Sequence, residues 1–161
     1  MTERALRTAP GNAQDAAAMT ADPGTYVVLF RCPAQARVQV GRWGPLTLRK
    51  GCYLYVGSAF GPGGVRARVA RHCREDKARR WHIDYLGGFV TPLGAWYSHA
   101  SQRLEHRWAL ALADMPGAVP VVRFGSSDCR CESHLYYFAK RPDLPEFQTI
   151  VQDDVQNWSC C

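Results

Sequence analysis

The sequence predicts a single mixed domain of the α/β (α+β) class, and three features lead to this prediction. The length of 161 residues is that of one domain of ordinary size and is too short for two. Apolar residues make up 47% and charged residues 21%, a composition that supports a buried core and argues against wholesale disorder. Short strand-like segments joined by tight turns precede segments with helical spacing, which favours antiparallel strands packed with helices.

Four short strands are predicted in the first third of the chain. Residues 25–30 are β-branched, aromatic or aliphatic, and this segment ends at the turn around Pro33. Residues 37–40 and 46–48 alternate polar and apolar side chains, and residues 53–56 form the next strand. Because the turns between these segments are tight, we expect an antiparallel meander.

A helix is predicted to begin near Val65, after a glycine-rich turn. Four residues follow the i, i+3, i+4, i+7 spacing and share one face: Val65, Arg68, Val69 and His72. Arg68 and His72 therefore point towards the sheet, and an inward-facing arginine needs a specific partner. Residues 79–86 are predicted as a second short helix and residues 93–97 as a further strand.

The second half of the chain contains one firm helix and two late strands. The helix is predicted over residues 102–113, and Glu105 lies on or beside its apolar stripe. Residues 119–124 and 135–139 are predicted as strands around a polar turn that contains cysteines. Beyond Arg141, two prolines and mixed polarity do not define a structure.

These patterns divide the chain into three parts. Residues 1–22 are predicted as a disordered or loosely helical leader, residues 23–140 as the folded domain and residues 141–161 as a C-terminal tail. No apolar run reaches the roughly 20 residues of a membrane span, and the leader lacks the apolar core of a secretory signal. Seven cysteines in a chain that needs no disulfides are expected to be mostly reduced, which favours a cytoplasmic protein without a membrane partner.

Positive charge is concentrated in one stretch. The formal net charge is +6, and residues 66–80 carry seven basic residues against two acidic ones. Trp81 and His82 follow directly, a combination suited to phosphates and a stacked base. A solvated helix face is the alternative interpretation of such a run.

Several motifs together resemble those of the GIY-YIG nuclease superfamily. Gly24-Thr25-Tyr26 lies on the first predicted strand and Tyr55-Val56-Gly57 on a later one. A glycine-rich turn, then Arg68 and His72 on one helix, and Glu105 on a later helix follow in the same order as in the family. Three further stretches resemble the Uri-type branch of the superfamily: 55–59, 81–86 and 125–131. The resemblance covers roughly residues 24–140.

This resemblance implies a small central antiparallel sheet flanked by helices, with a phosphodiesterase site on the sheet. Glu105 matches the metal-binding carboxylate, which would hold Mg²⁺ or Mn²⁺. Arg68 matches the arginine that would bind the scissile phosphate. Tyr26 and Tyr55 match the two motif tyrosines, whose hydroxyls would align the attacking water. A helix-terminal carboxylate, a buried salt bridge and strand packing are the ordinary structural alternatives for these residues.

The general base stays open between two residues. Tyr55 needs cationic neighbours or a bound metal to lower its pKa from about 10. His72 matches a position where several family nucleases carry histidine, and its pKa suits proton transfer near neutrality. Ser58 is a departure, because other superfamily members carry lysine there and the chain thus loses one positive contact to phosphate.

A nucleic-acid-binding surface is predicted along the basic stretch and the motif glycine. Its predicted members are Gly57, Ser58, Arg66, Arg71, Arg74, Lys77, Arg79, Arg80, Trp81 and His82. A zinc site is an alternative use of the late turn, through Cys129, Cys131 and His134, with Cys73 or His72 as a distant fourth ligand.

The function expected from this pattern is a metal-dependent endonuclease that hydrolyses phosphodiester bonds in nucleic acid, with DNA favoured over RNA. The alternative is a catalytically silent nucleic-acid-binding module of the same fold, with or without structural zinc. The sequence does not define the substrate structure, the base preference or the oligomeric state.

Overall fold

The computed structural model describes residues 19–125 and 131–160. Within these ranges an antiparallel sheet of six strands is flanked by helices on both faces, as predicted. The strands are β1 (Gly24–Cys32), β2 (Ala36–Val40), β3 (Gly44–Leu48), β4 (Gly51–Ala59), β5 (Thr91–Ser98), β6 (Val119–Pro120), β7 (Leu135–Phe138) and β8 (Gln156–Ser159). The helices are α1 (Gly64–Cys73), α2 (Glu105–Asp114) and α3 (Leu144–Val151), with 3-10 helices at Gly41–Trp43 and His82–Leu86.

The strand order corrects the predicted meander. The main sheet runs β6-β7-β4-β1-β5-β8, so β1 pairs with β4 and β5 and not with β2. β2 and β3 form a separate two-stranded sheet. The physical reason is burial: β1 is apolar on both faces and is covered on both, whereas β2 alternates exposed and buried residues and needs only one covered face.

Alternate residues of β1 belong to two separate cores. Tyr26, Val28 and Phe30 pack on the face that α1 covers. Val27 and Leu29 pack on the opposite face, beneath α2 and α3. The predicted apolar faces of the first two helices are confirmed, because Val65, Val69 and His72 of α1 and Trp108, Ala109 and Leu112 of α2 are all buried.

Three predicted elements are shorter than expected. α2 begins at Glu105, after the Leu104 N–H donates to the Thr25 Oγ1 (3.3 Å). Of the predicted helix over 79–86, only a 3-10 helix from His82 forms, because the Asp84 carboxylate accepts the backbone N–H groups of Arg80 and Trp81. β6 has only two residues, since Pro120 has no N–H to donate and Arg123 adopts a positive φ of 66°.

The segment after Arg141 is part of the fold. α3 buries Phe147 and Val151 in the same core as Trp108, and β8 pairs with the edge of β5. Asp153 accepts a hydrogen bond from the Trp108 indole (2.8 Å). The folded unit therefore extends beyond the predicted domain end at residue 140.

The end of the predicted leader also contacts the domain. Residues 1–18 lie outside the described ranges, whereas Met19 is buried. The carbonyl oxygens of Thr20 and Asp22 accept the N–H groups of Arg66 and Val65 (3.0 and 3.1 Å), which satisfies donors in the first turn of α1. In the described parts of the chain, no helix combines the length and apolar character required to cross a bilayer.

Candidate active site

A polar cavity of about 280 Å³ lies at the Gly57 end of the β1–β4 pair. Its lining residues come from five elements or element boundaries. Four of the five predicted catalytic residues line this cavity: Tyr26, Tyr55, Arg68 and Glu105. Gly57, Ser58 and Trp81, predicted as nucleic-acid contacts, complete the lining.

Gly57 makes room for the Tyr26 side chain. The β1–β4 register places Tyr26 directly opposite Gly57. A Cβ atom on residue 57 would collide with the hydroxyl oxygen of Tyr26. The Tyr26 side chain therefore requires a glycine at position 57, independently of any contact that Gly57 makes with substrate.

Tyr26 is buried, and its hydroxyl is hydrogen-bonded to His72, which does not line the cavity. Its hydroxyl lies 2.9 Å from the His72 Nε2, and Tyr26 is only 2% exposed. Burial raises the pKa of Tyr26 well above its usual range, and the nearby Tyr55 raises it further. Tyr26 is therefore a neutral phenol at physiological pH, held in one orientation by the histidine.

His72 is close to the cavity without lining it. Its side chain is 3% exposed, and its Nδ1 has no hydrogen-bond partner among the described residues. Burial lowers the pKa of His72 to about 3, and the positive charge of Lys77 acts in the same direction. The imidazole is neutral at physiological pH, and its ring contacts the cavity residues Tyr26, Tyr55 and Trp81 without lining the cavity.

Arg68 lies on the cavity wall, as its helical position predicts. Its Nη1 donates to the Ser58 carbonyl oxygen (3.1 Å), and its guanidinium lies 5.1 Å from the centre of the Trp81 ring. In the described ranges no carboxylate forms an ion pair with Arg68, so a structural salt bridge does not account for it. The guanidinium also hydrogen-bonds the Tyr26 side chain, and its five N–H donors exceed what these two contacts use.

Glu105 reaches the cavity because α2 begins at this residue. The preceding Leu104 is tied to Thr25, the neighbour of Tyr26 in β1. The Glu105 side chain is 26% exposed, and its Oε2 lies 3.0 Å from the Nδ1 of His134. One hard carboxylate on a polar cavity wall fits Mg²⁺ or Mn²⁺, because these ions keep several waters and take phosphate oxygens as further ligands.

His134 is a neighbour of the site that sequence reasoning linked only to zinc. It is buried just before β7, where its carbonyl accepts the Val56 N–H (2.9 Å) and its own N–H donates to Phe124 (2.8 Å). These bonds place its ring beside Glu105. No sequence pattern could reveal this pair, since the two residues lie on unrelated elements.

Two predicted nucleic-acid contacts instead bind within the protein. Arg71 forms a two-pronged ion pair with the buried Asp84 (3.0 and 2.9 Å) and stacks 4.3 Å from Trp81. Although burial tends to raise the pKa of Asp84, the bonds from Arg71 and two backbone N–H groups hold it below its usual value. Lys77 donates to the last carbonyls of α1, those of Arg71 and His72 (both 3.1 Å).

Other predicted contacts remain exposed. The exposed arginines, by which we mean Arg66, Arg74, Arg79 and Arg80, form no ion pair within the described ranges. His82 is half-buried against Phe124, at 5.9 Å between ring centres. Arg103, which the sequence analysis did not select, is exposed and lies 4.5 Å over the ring of Phe60, next to the end of β4.

The predicted zinc ligands are only partly brought together. Cys129 lies outside the described residues. The distant ligands considered from sequence are engaged elsewhere, because the Cys73 Sγ lies 3.4 Å from the Sγ of Cys160 and His72 binds Tyr26. Cys131 and His134 do lie near each other, and His106 joins them.

A comparison with models of protein families identifies a matching family. A family model described as "Domain of unknown function DUF123" matches residues 25–156, which include every cavity residue. No curated protein and no solved structure shows a significant match.

Proposed function

We propose that this chain, which belongs to the DUF123 family, is a metal-dependent endonuclease of the GIY-YIG type that hydrolyses phosphodiester bonds in nucleic acid, with DNA as the favoured substrate. The observation that carries the proposal is the convergence of two tyrosines, an arginine and a glutamate on one polar cavity. These residues come from β1, β4, α1 and the start of α2, so their meeting is a property of the fold. A packing role alone would not require a polar cavity between them.

In this proposal Arg68 binds the scissile phosphate. Its bonds to the Ser58 carbonyl and to the Tyr26 side chain would fix the guanidinium plane, and the N–H groups that these bonds do not use would pair with phosphate oxygens. Phosphodiester cleavage places more charge on these oxygens in the transition state. A pre-positioned cation therefore binds the transition state more tightly than the ground state.

Glu105 would hold the metal ion. Bound there, Mg²⁺ or Mn²⁺ would supply Lewis-acid stabilisation of the charge that develops on the phosphate. The contact with His134 involves Oε2 alone, so the other carboxylate oxygen of this cavity residue would bind the metal.

Tyr55 is the proposed general base. Of the two candidates it is the one that lines the cavity, whereas His72 is buried behind Tyr26. Acting as its phenolate, Tyr55 takes the water proton while the water oxygen bonds to phosphorus and the phosphorus bond to the leaving oxygen breaks; the leaving oxygen then takes a proton from solvent. Tyr26, a neutral phenol, orients the water through its hydroxyl, and His72 is a positioning residue that fixes Tyr26.

The exposed arginines supply the surface that holds the rest of the nucleic acid. Guanidinium groups that form no internal ion pair can bind phosphates without breaking one. We place the protein in the cytoplasm, where thiols such as the buried Cys32 and Cys52 stay reduced.

Cleavage of labelled DNA tests this function. Purified protein is incubated with single-stranded, duplex and branched DNA, and with RNA of the same sequences, in Mg²⁺, Mn²⁺ or EDTA. We expect a product with at least one DNA form that requires the divalent ion and is absent with a Glu105→Gln preparation. Binding without cleavage of any substrate would contradict the endonuclease proposal and favour the silent binding module.

A further inference from the structure

Three side chains with metal-ligating atoms meet beside the candidate active site. His106 comes from the first turn of α2, while Cys131 and His134 precede β7. Their ligand atoms lie within 4.8 Å of one another. One thiolate and two imidazoles are the donors that Zn²⁺ selects in proteins, whereas Mg²⁺ prefers oxygen. We propose that His106, Cys131 and His134 form a zinc site, separate from the ion that Glu105 would hold.

The three ligand atoms need to move only slightly to reach the spacing of a tetrahedral zinc site. Bond lengths of about 2.0–2.3 Å place the ligand atoms of a tetrahedral zinc site roughly 3.3–3.7 Å apart. His134 is buried and fixed by its backbone bonds, and Cys131 is half-buried. His106 is exposed, and its ring centre is 5.9 Å from that of His134. Rotation of the exposed His106 side chain can therefore bring its nitrogen to the other two ligands.

Glu105 fits the site as an outer partner. A histidine that binds zinc usually donates its other ring N–H to a carboxylate, which fixes the ring and raises its basicity. The His134 Nδ1 and the Glu105 Oε2 lie 3.0 Å apart, so a small rotation of either side chain would complete this bond. In this geometry zinc takes the His134 Nε2, and water takes the fourth position.

This arrangement gives the zinc a role in the neighbouring cavity. A metal on His134 fixes the ring that contacts Glu105, and thereby the orientation of the Glu105 carboxylate. This consequence rests on the proposed function, because it matters only if Glu105 acts in catalysis. The zinc site itself does not depend on nuclease activity.

Zinc binding by the full chain tests the site without nucleic acid. The protein is stripped with a chelator, titrated with Zn²⁺ against a colorimetric zinc indicator, and its metal content is measured by mass spectrometry. We expect about one tightly bound zinc per chain, and weaker binding by His106→Ala and Cys131→Ser. Since loss of an outer partner alone costs roughly 10–100-fold in metal affinity, loss of a direct ligand should cost at least as much.

Matched variants separate this site from the other thiols and histidines. Cys160→Ser removes half of the Cys73–Cys160 thiol pair, and His82→Ala removes a half-buried histidine elsewhere; both should keep the wild-type zinc affinity. His106 is exposed on a helix, so its alanine variant should fold normally, which circular dichroism checks.

Cobalt gives a second readout. Co²⁺ bound at the site should show a thiolate charge-transfer band that Cys131→Ser abolishes and Cys160→Ser retains. Wild-type zinc affinity in either His106→Ala or Cys131→Ser would overturn the proposal, as would an unchanged cobalt band in Cys131→Ser. These results would leave the nuclease proposal untouched, and failure of the cleavage assay would leave the zinc site standing.

Discussion

The side chains of the candidate site are positioned by specific neighbouring residues. Gly57 gives space to Tyr26, and His72 holds the Tyr26 hydroxyl from the far side. The backbone carbonyl of Ser58 accepts a hydrogen bond from Arg68, a contact that does not depend on the side chain at this position. The motifs on β1 and β4 were recognisable in the sequence because both lie on regular strands. The contact between Glu105 and His134 was not, because no periodicity links residues on different elements.

His72 makes stability depend on pH in a defined window. The pKa of His72 falls from its ordinary 6.5 to about 3 on folding, chiefly because the ring is buried; Lys77, Arg71 and Arg68 also disfavour its charge, and Asp84 favours it. Below pH 6.5 the unfolded chain therefore binds a proton that the folded chain does not. The free energy of unfolding should fall by about 2 kcal/mol between neutral pH and pH 5.

Urea unfolding at pH 7.5, 6 and 5 measures this loss. His72→Gln, which does not titrate, should flatten the dependence over this range. The depressed pKa of Asp84 affects stability only at lower pH, below its ordinary value of 3.8, so it does not obscure the result. An equal slope in the variant and the wild type would show that another group is responsible.

For helices and strands, the sequence predicted which face is buried. It did not predict which other elements that face packs against. The spacing of Val65, Val69 and His72 predicted the buried face of α1. Neither α3 nor β8 was predicted, because each is short and of mixed polarity and is stabilised by elements distant in the sequence. α3 packs on α2, and β8 hydrogen-bonds to β5.

Phe147 should therefore be essential to the stability of the whole domain. It is fully buried in α3, with ring centres 5.2 Å from Trp108 and 5.1 Å from Trp96. Phe147→Ala should lower the free energy of unfolding by about 3–5 kcal/mol, through lost burial and the cavity left behind. Denaturant unfolding checks this value, with Ile150→Ala in the same helix as the control because Ile150 is 38% exposed. A loss for Phe147→Ala as small as that of Ile150→Ala would show that α3 is not packed as described.

For the molecule as a whole, the fold class and the antiparallel pairing could be predicted, but the strand order could not. The tight turns of the sequence suggested that β1 would pair with β2. Instead β1 pairs with β4 and β5, because both of its faces are apolar and must be covered. The same distinction applies to charge. The sequence located the basic stretch, whereas only the structure separated Arg71 and Lys77, which bind within the protein, from the exposed arginines.

Nucleic-acid binding should depend on salt through the exposed arginines. Each phosphate contact contributes roughly 0.9 to the slope of log affinity against log salt concentration for duplex DNA. Replacing Arg66, Arg74 or Arg79 with alanine should weaken binding and reduce the slope by up to about one contact each. Fluorescence anisotropy at several salt concentrations measures the slope. Arg37 is exposed on β2, and Arg37→Ala serves as the control. If this variant weakened binding as much as the others, binding would not be confined to the proposed surface.

The central claim is that the cavity formed by Tyr26, Tyr55, Arg68 and Glu105 is the site of metal-dependent cleavage. Its most direct test compares wild type, Glu105→Gln and Glu146→Gln at saturating protein, with binding and cleavage measured on the same samples. Glu146 is exposed on α3 and does not line the cavity. We predict equal DNA binding by all three proteins, full cleavage by Glu146→Gln, and a loss of at least about 100-fold in the cleavage rate of Glu105→Gln. Cleavage by Glu105→Gln at the wild-type rate would contradict the account.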